Sequence, residues 1–213
     1  MPYIKDANIL FIHCPKTGGS SLEKYFSKKY SIRFDPKSLF GFLPKNVIIG
    51  ESFDRTISLQ HQTYTTIVKF KKELGIDIND STKIITIVRN PYTRLVSDLF
   101  FNKLIKKETN ANDVYKIILD YITKKYDNHT LQQYKFIIDE NGELIKNLII
   151  LRTETLKDDM KKIGYHDFDV YDGVGPVPQN NYFVYLNDSS IKLINTFYDK
   201  DFKYFNYPKI IPT

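Results

Sequence analysis

A chain of 213 residues, 42% apolar and 26% charged, has the length and composition of one globular domain with a sizeable core (residues 1–213), which excludes a disordered or fibrous protein. Its net charge of +6 favours an anionic partner: nucleotide, nucleic acid, acidic glycan or membrane surface. The single cysteine, Cys14, excludes an intramolecular disulfide and points to a reducing, cytoplasmic setting, and no apolar run has the length of a signal-peptide core or a membrane span.

Apolar β-rich runs alternate with helical patterns, which predicts an α/β fold with a largely parallel sheet. Ile9 to His13 reads as the first strand, apolar throughout, as a strand covered on both faces must be. A Pro/Gly loop, Pro15 to Gly19, leads to a helix starting near Ser20 with Leu22, Tyr25 and Phe26 on one face. Val47 to Gly50 is a second short strand, and Ser58 to Leu74 a helix closed by Gly75. Lys83 to Val88 (KIITIV) is the third strand. Asn90 caps the next helix and Pro91 takes its first position, where a missing amide does no harm. Asp113 to Tyr126 carries apolar residues at helical spacing. Asn141-Gly142 turns a short hairpin, Leu148 to Leu151 is a further strand, and Thr155 with Asp158 makes a capping box for a helix to Ile163. A loop-rich stretch from Tyr165 to Leu186 contains Gly173, Gly175, Pro176 and Pro178. A last helix runs from about Ser189 to Tyr198, with Phe202, Phe205 and Tyr207 in a tail that packs back on the domain.

Two strand–loop–helix segments carry chemistry. In the first, His13-Cys14-Pro15-Lys16-Thr17-Gly18-Gly19-Ser20-Ser21, adjacent glycines let backbone amides approach an anion, and the helix start adds free amides and its positive dipole end. Thr17, Ser20 and Ser21 supply hydroxyl donors and Lys16 a mobile cation. The alternative is a plain structural turn. A Walker A loop is excluded because it needs its lysine after the glycines, and here the lysine precedes them. In the second segment, Arg89-Asn90-Pro91-Tyr92-Thr93-Arg94-Leu95-Val96-Ser97, Arg89 stands at the carboxyl end of a strand, where open α/β sheets bind ligands. Ser97 follows about two turns into the helix, so guanidinium and hydroxyl can reach one phosphate. Taken alone, this pair is equally well read as a sheet-edge arginine and a packed serine.

Together the two segments resemble the sulfotransferases that use 3′-phosphoadenosine 5′-phosphosulfate (PAPS). Pro-Lys-Thr-Gly-Gly-Ser-Ser is similar to their 5′-phosphosulfate loop, and Arg89 and Ser97 to their 3′-phosphate pair. The wording FIHCPKTGGSSL and IVRNPYTRLVS is closest to the carbohydrate branch that includes heparan sulfate 2-O-sulfotransferase and the chondroitin and dermatan sulfotransferases. His61-Gln62-Thr63-Tyr64, Gln133, the Arg152-x-Glu154-x-Leu156 element and the ending from Ile194 to Tyr207 extend the likeness more weakly over the chain.

The resemblance implies a three-layer fold like that of the P-loop NTPases, with a central, mostly parallel sheet flanked by helices. It implies PAPS as donor, PAP as product, and in-line transfer of a sulfuryl group to a hydroxyl, a sugar hydroxyl in this branch. Lys16 would contact the bridging oxygen, Thr17, Gly18, Gly19, Ser20, Ser21, Arg89 and Ser97 would bind the nucleotide, and His61 would be the catalytic histidine. A hydroxyl is a weak nucleophile, so a base helps. Of the other histidines, His13 reads as a satisfied core residue, while His129 and His166 sit in polar loops; Glu51 is the reserve base. No zinc-ligand spacing occurs. Competing readings are a silent module binding PAPS or an anionic glycan, and a nucleotide kinase of related topology; no nucleic-acid recognition motif is present. Paired lysines such as Lys106 and Lys107 suit either a glycan track or plain solvation.

Overall fold

The computed structural model describes residues 3–32, 59–72, 74–125, 127–169 and 179–212. The expected strand at Val47–Gly50, the reserve base Glu51 and the turn residues Gly173, Gly175, Pro176 and Pro178 lie outside these residues.

Four described strands form one sheet in the order β1 (Tyr3–Ile4), β2 (Ile9–Ile12), β3 (Lys83–Val88) and β4 (Leu148–Arg152). β1 is antiparallel to β2, while β2, β3 and β4 run parallel, with Leu10 opposite Ile84 and Ile85 opposite Ile149. Parallel strands covered on both faces need apolar side chains at every position, and the period of two divides them between the faces. Leu10, Ile12, Ile84 and Val88 meet Ile67, Phe136, Ile137 and Phe205 on one face. Ile9, Phe11, Ile85, Ile87 and Leu151 meet Leu22, Phe26, Leu156 and Met160 on the other. The result is the expected α/β arrangement, a mostly parallel sheet flanked by helices.

Helix α1 (Gly19–Lys29) follows β2 and α3 (Pro91–Phe101) follows β3. α3 starts as expected: Asn90 Oδ1 accepts from the Tyr92 amide at 3.0 Å and Pro91 fills the first turn. α3 packs with α4 (Ala111–Lys124), capped by Asn110, in an apolar cluster that also takes residues of the C-terminal helices. No helix among the described residues is long and apolar enough to cross a membrane.

Several expectations are corrected. The helix expected from Ser58 to Leu74 is a single turn, Leu59–His61, followed by the short α2 (Tyr64–Lys69), because Thr63 caps a new helix by accepting from the Thr66 amide. The β-branched run Thr65 to Val68 also resists a long helix. At α5 (Leu156–Lys162) the expected Thr155–Asp158 box does not form. A tight turn at Thr153–Thr155 shifts the register, so the acid is Asp159, accepting from the Arg152 amide at 3.0 Å and the Thr155 hydroxyl at 2.7 Å. The expected tail contains a further helix: α6 (Asp188–Phe197) is followed by α7 (Asp199–Tyr204), and Phe202 and Phe205 are buried.

Candidate active site

The loop between β2 and α1 is held from several sides. The Thr17 hydroxyl donates to the Cys14 carbonyl at 2.8 Å, so the donor expected to face a ligand is turned inward and closes the turn. The Thr153 hydroxyl donates to the Thr17 carbonyl at 2.6 Å, and Arg94 Nε donates to the Pro15 carbonyl at 2.9 Å. Gly18 has a left-handed backbone, φ 87°. Gly19 answers a different demand: a Cβ there would lie 2.2 Å from the His13 ring. The pair of glycines therefore serves one backbone turn and one side-chain contact. Ser20 is exposed and Ser21 buried at the start of α1, beside helix amides that lack intrahelical partners.

Lys16 also has a left-handed backbone, φ 62°. Its Nζ lies 3.9 Å from the centroid of the Phe101 ring. Burial lowers its pKa, the Asp98 charge opposes that, and Arg89 adds to it. Its carbonyl accepts from Arg89 Nη1 at 3.1 Å.

Arg89 is 5% exposed at the end of β3. Gln133 clamps its backbone, with Oε1 accepting from the Arg89 amide and Nε2 donating to the Arg89 carbonyl, each at 2.8 Å. Gln133 thus fixes the Arg89 backbone. Arg89 Nε donates to the Thr93 hydroxyl at 3.2 Å, while Nη2 is buried with no hydrogen-bond partner. Burial lowers the guanidinium pKa, countered in part by Tyr182 and Glu154. Ser97, half-buried, lies one turn beyond Thr93 and one turn before Phe101, so Thr93, Ser97 and Phe101 share a face of α3. That face spans about 12 Å of helix at 1.5 Å per residue, with Arg89 at one end and Lys16 at the other. The two sequence motifs therefore meet, joined directly through Arg89 and the Lys16 carbonyl.

The expected base, His61, lies in a row of three imidazoles. His13 and His61 meet edge to face with centroids 4.5 Å apart, and His61 and His129 likewise at 5.0 Å. His13 is buried and satisfied, as foreseen: its Nδ1 lies 2.7 Å from Glu23 Oε1, and Gln60 donates to the other Glu23 oxygen at 2.6 Å. Burial pushes the Glu23 carboxyl up, but the His13 charge and these hydrogen bonds outweigh it and hold the pKa below its ordinary value. His61 Nδ1 lies 3.1 Å from the His13 carbonyl. A carbonyl only accepts, so neutral His61 carries its proton on Nδ1 and its lone pair on Nε2. Burial first, then the His13 and His129 charges, hold its pKa well below 6.5.

His129 is a component that loop position concealed. Its Nδ1 lies 2.7 Å from Asp98 Oδ1, its ring stacks on Phe101 at 5.6 Å, and its carbonyl accepts from Arg94 Nη2 at 3.0 Å. Glu23, Asp98 and Arg94 were also missed. The signal was available: each is an ionic residue inside an apolar helical stripe, flanked by Leu22 and Phe26, or by Leu95 and Leu99. His166 is exposed. Among the described residues no group of His, Cys, Asp and Glu could hold a metal ion.

The arrangement can hold an anion between two cations set in a backbone turn, with imidazoles beside it to accept a proton. The family model described as "Sulfotransferase family" matches residues 3–208, nearly the whole chain. No curated protein and no solved structure matches it.

Proposed function

The chain belongs to the sulfotransferase family, and from that premise we propose that it transfers a sulfuryl group from PAPS to a hydroxyl acceptor, a carbohydrate by its likeness to that branch. The observation that carries the donor assignment is the unpartnered Nη2 of Arg89, buried and charged. A buried donor without a partner is destabilising, and an anion at that point would satisfy it. Arg89, with Ser97 on the adjacent helical face, would hold the 3′ phosphate. Lys16, the amides of Thr17 to Ser20 and the Ser20 hydroxyl would hold the phosphosulfate.

PAPS supplies an activated sulfuryl group with PAP as the leaving group. The residues of this chain supply what that chemistry needs. Lys16 and the α1 amides stabilise charge growing on the bridging oxygen, the role in which preorganised donors are most effective. The resemblance points to His61 as the proton acceptor, and its Nδ1–H contact with the His13 carbonyl leaves the lone pair on Nε2, though burial and the neighbouring histidines lower its basicity. A cytoplasmic setting is part of the proposal, supported by the single cysteine, Cys14, which can form no intramolecular disulfide.

Thermal midpoints test the donor. A ligand that binds only the folded chain raises the midpoint with its affinity. PAP should raise it far more than ATP with magnesium, and an equal shift with ATP would favour a nucleotide kinase. Lys16→Ala should then keep most PAP affinity and lose label transfer from sulfur-labelled PAPS, because its largest effect falls on charge absent from the ground state.

A further inference from the structure

Two histidines of the row have a buried carboxylate at Nδ1, His13 with Glu23 and His129 with Asp98, but His13 is itself buried with its ring packed on Gly19, whereas the His129 side chain is partly exposed. Asp98 lies in the apolar interior at 1% exposure, and its Oδ1 stands 2.7 Å from His129 Nδ1. The remaining Asp98 contacts are to donors, Asn102 Nδ2 at 3.2 Å and the Tyr121 hydroxyl. A carboxylate so placed fixes the His129 tautomer: Nδ1 carries the proton, and Nε2 is the site that accepts one. This is the carboxylate–imidazole arrangement that makes a histidine a general base, recognised by geometry rather than by sequence order. The backbone is fixed as well. The His129 amide donates to Asp127 Oδ1 at 2.8 Å, and the carbonyl accepts from the Arg94 guanidinium that also holds the Pro15 carbonyl. The cofactor loop and the His129 loop therefore share one clamp.

Position favours the same residue. The His129 ring and the Lys16 ammonium both pack on Phe101, the ring at 5.6 Å between centroids and Nζ at 3.9 Å from the centroid. The Phe101 ring thus connects His129 to Lys16, the lysine assigned to the bridging oxygen. His61 packs against the rings of His13 and His129. Its Nδ1 partner is a neutral carbonyl, and its ring lies between two imidazoles.

We propose that His129, oriented by Asp98, is the residue that takes the acceptor's proton in sulfuryl transfer, with His61 the neutral imidazole packed behind it. The assignment rests on the sulfotransferase reading and refines its base. In the step, the acceptor oxygen forms a bond to sulfur, the bond from sulfur to the 5′-phosphate oxygen breaks with its electron pair leaving on PAP, and the acceptor's proton passes to His129 Nε2. Asp98, in contact with Nδ1, stabilises the imidazolium. The depressed basicity of His61 agrees with this division, since burial and two flanking imidazoles oppose a charge there. The charged and titratable groups around His129 are Asp98 and Arg94 of α3, Tyr121 of α4 through Asp98, His61 from the segment before α2, Asp127 of its own loop and Lys16 across Phe101.

The test follows imidazole titration by NMR in the PAP-bound protein, with His61→Asn and His129→Asn assigning the signals. His129 should titrate above His61. Asp98→Asn should lower the His129 midpoint, the direction for losing an adjacent opposite charge. Should that variant fail to fold, Tyr121→Phe removes a competing donor from Asp98 and should raise the His129 midpoint. In label transfer from PAPS to a panel of sugars and alcohols, His129→Asn should lose about 100-fold or more while PAP still binds. His61 titrating above His129, a His129 midpoint indifferent to the Asp98 and Tyr121 variants, or near-normal transfer by His129→Asn would each overturn the assignment. A wild-type protein that neither prefers PAP to ATP nor transfers label would instead overturn the sulfotransferase reading itself. If it binds PAP but none of the panel accepts label, the titration order decides.

Discussion

Replacing Arg89 by Met separates what this residue does for the ligand from what it does for the fold. Methionine keeps most of the length and removes the guanidinium. In the ligand-free chain the side chain makes two hydrogen bonds, to the Thr93 hydroxyl and the Lys16 carbonyl, while Nη2 is buried without one. Two bonds at about 0.5–1.5 kcal/mol each are set against about 1–3 kcal/mol for the unsatisfied donor. Replacing a buried charge by a well-packed apolar group is often neutral or stabilising. The ligand-free thermal midpoint of Arg89→Met should therefore stay within a few degrees of wild type. PAP binding should change much more. A charge-assisted contact to the 3′ phosphate contributes about 1.5–3 kcal/mol, or roughly 10- to 150-fold in Kd. Adenosine 5′-phosphate, which lacks the 3′ phosphate, should lose only what the loosened Lys16 carbonyl costs, a few-fold at most. Isothermal titration of both ligands against both proteins gives the comparison directly. Equal losses for the two nucleotides, or a collapse of the ligand-free midpoint, would show that Arg89 is a structural arginine and that its open nitrogen is not a phosphate site.

Gly19→Ala should destabilise the chain by about 1–3 kcal/mol, the usual range for overpacking, because the new methyl meets the His13 ring while the backbone angle itself suits alanine; an unchanged denaturation midpoint would refute that reading. Asp201 accepts from the Gln133 and Tyr134 amides at 2.9 Å each, yet burial raises its pKa from 3.8 to about 6. The folded state thus holds this proton more tightly than the unfolded chain does, so the stabilisation is fully present below about pH 4 and is lost as pH rises through 6. Over that window the stability of wild type relative to Asp201→Asn should fall by about 3 kcal/mol, order of magnitude, and urea unfolding at several pH values would expose a flat difference if the assignment is wrong.

The parts of the site that were legible share a local origin. Strand, loop and helix follow one another in both motifs, so Lys16 and Arg89 could be placed from neighbouring residues alone, and Asn90 and Pro91 announce the start of α3. The row of imidazoles is of another kind. His13, His61 and His129 come from three separate segments, and no periodicity links them. Their contacts depend on how α3 and the loop after α4 settle on the sheet. Glu23 and Asp98 were concealed differently: a helical pattern scores apolar positions and passes over an acid placed among them, although burial of such a charge is what demands a partner. The Thr155 box failed for a smaller reason, one extra tight turn, which shifts a capping register without altering composition.

The left-handed backbone of Lys16 has a consequence for how this protein can evolve or be engineered. A residue with a Cβ in that conformation is disfavoured by about 1 kcal/mol relative to glycine, and its ammonium is partly removed from water as well. Selection for heat resistance alone would therefore press on position 16 among the first, since glycine there relieves both burdens at once. Variants improved in that way would keep the fold and forfeit the chemistry, so a screen that reads only folding would reward the loss of the one side chain that both motifs are arranged to hold.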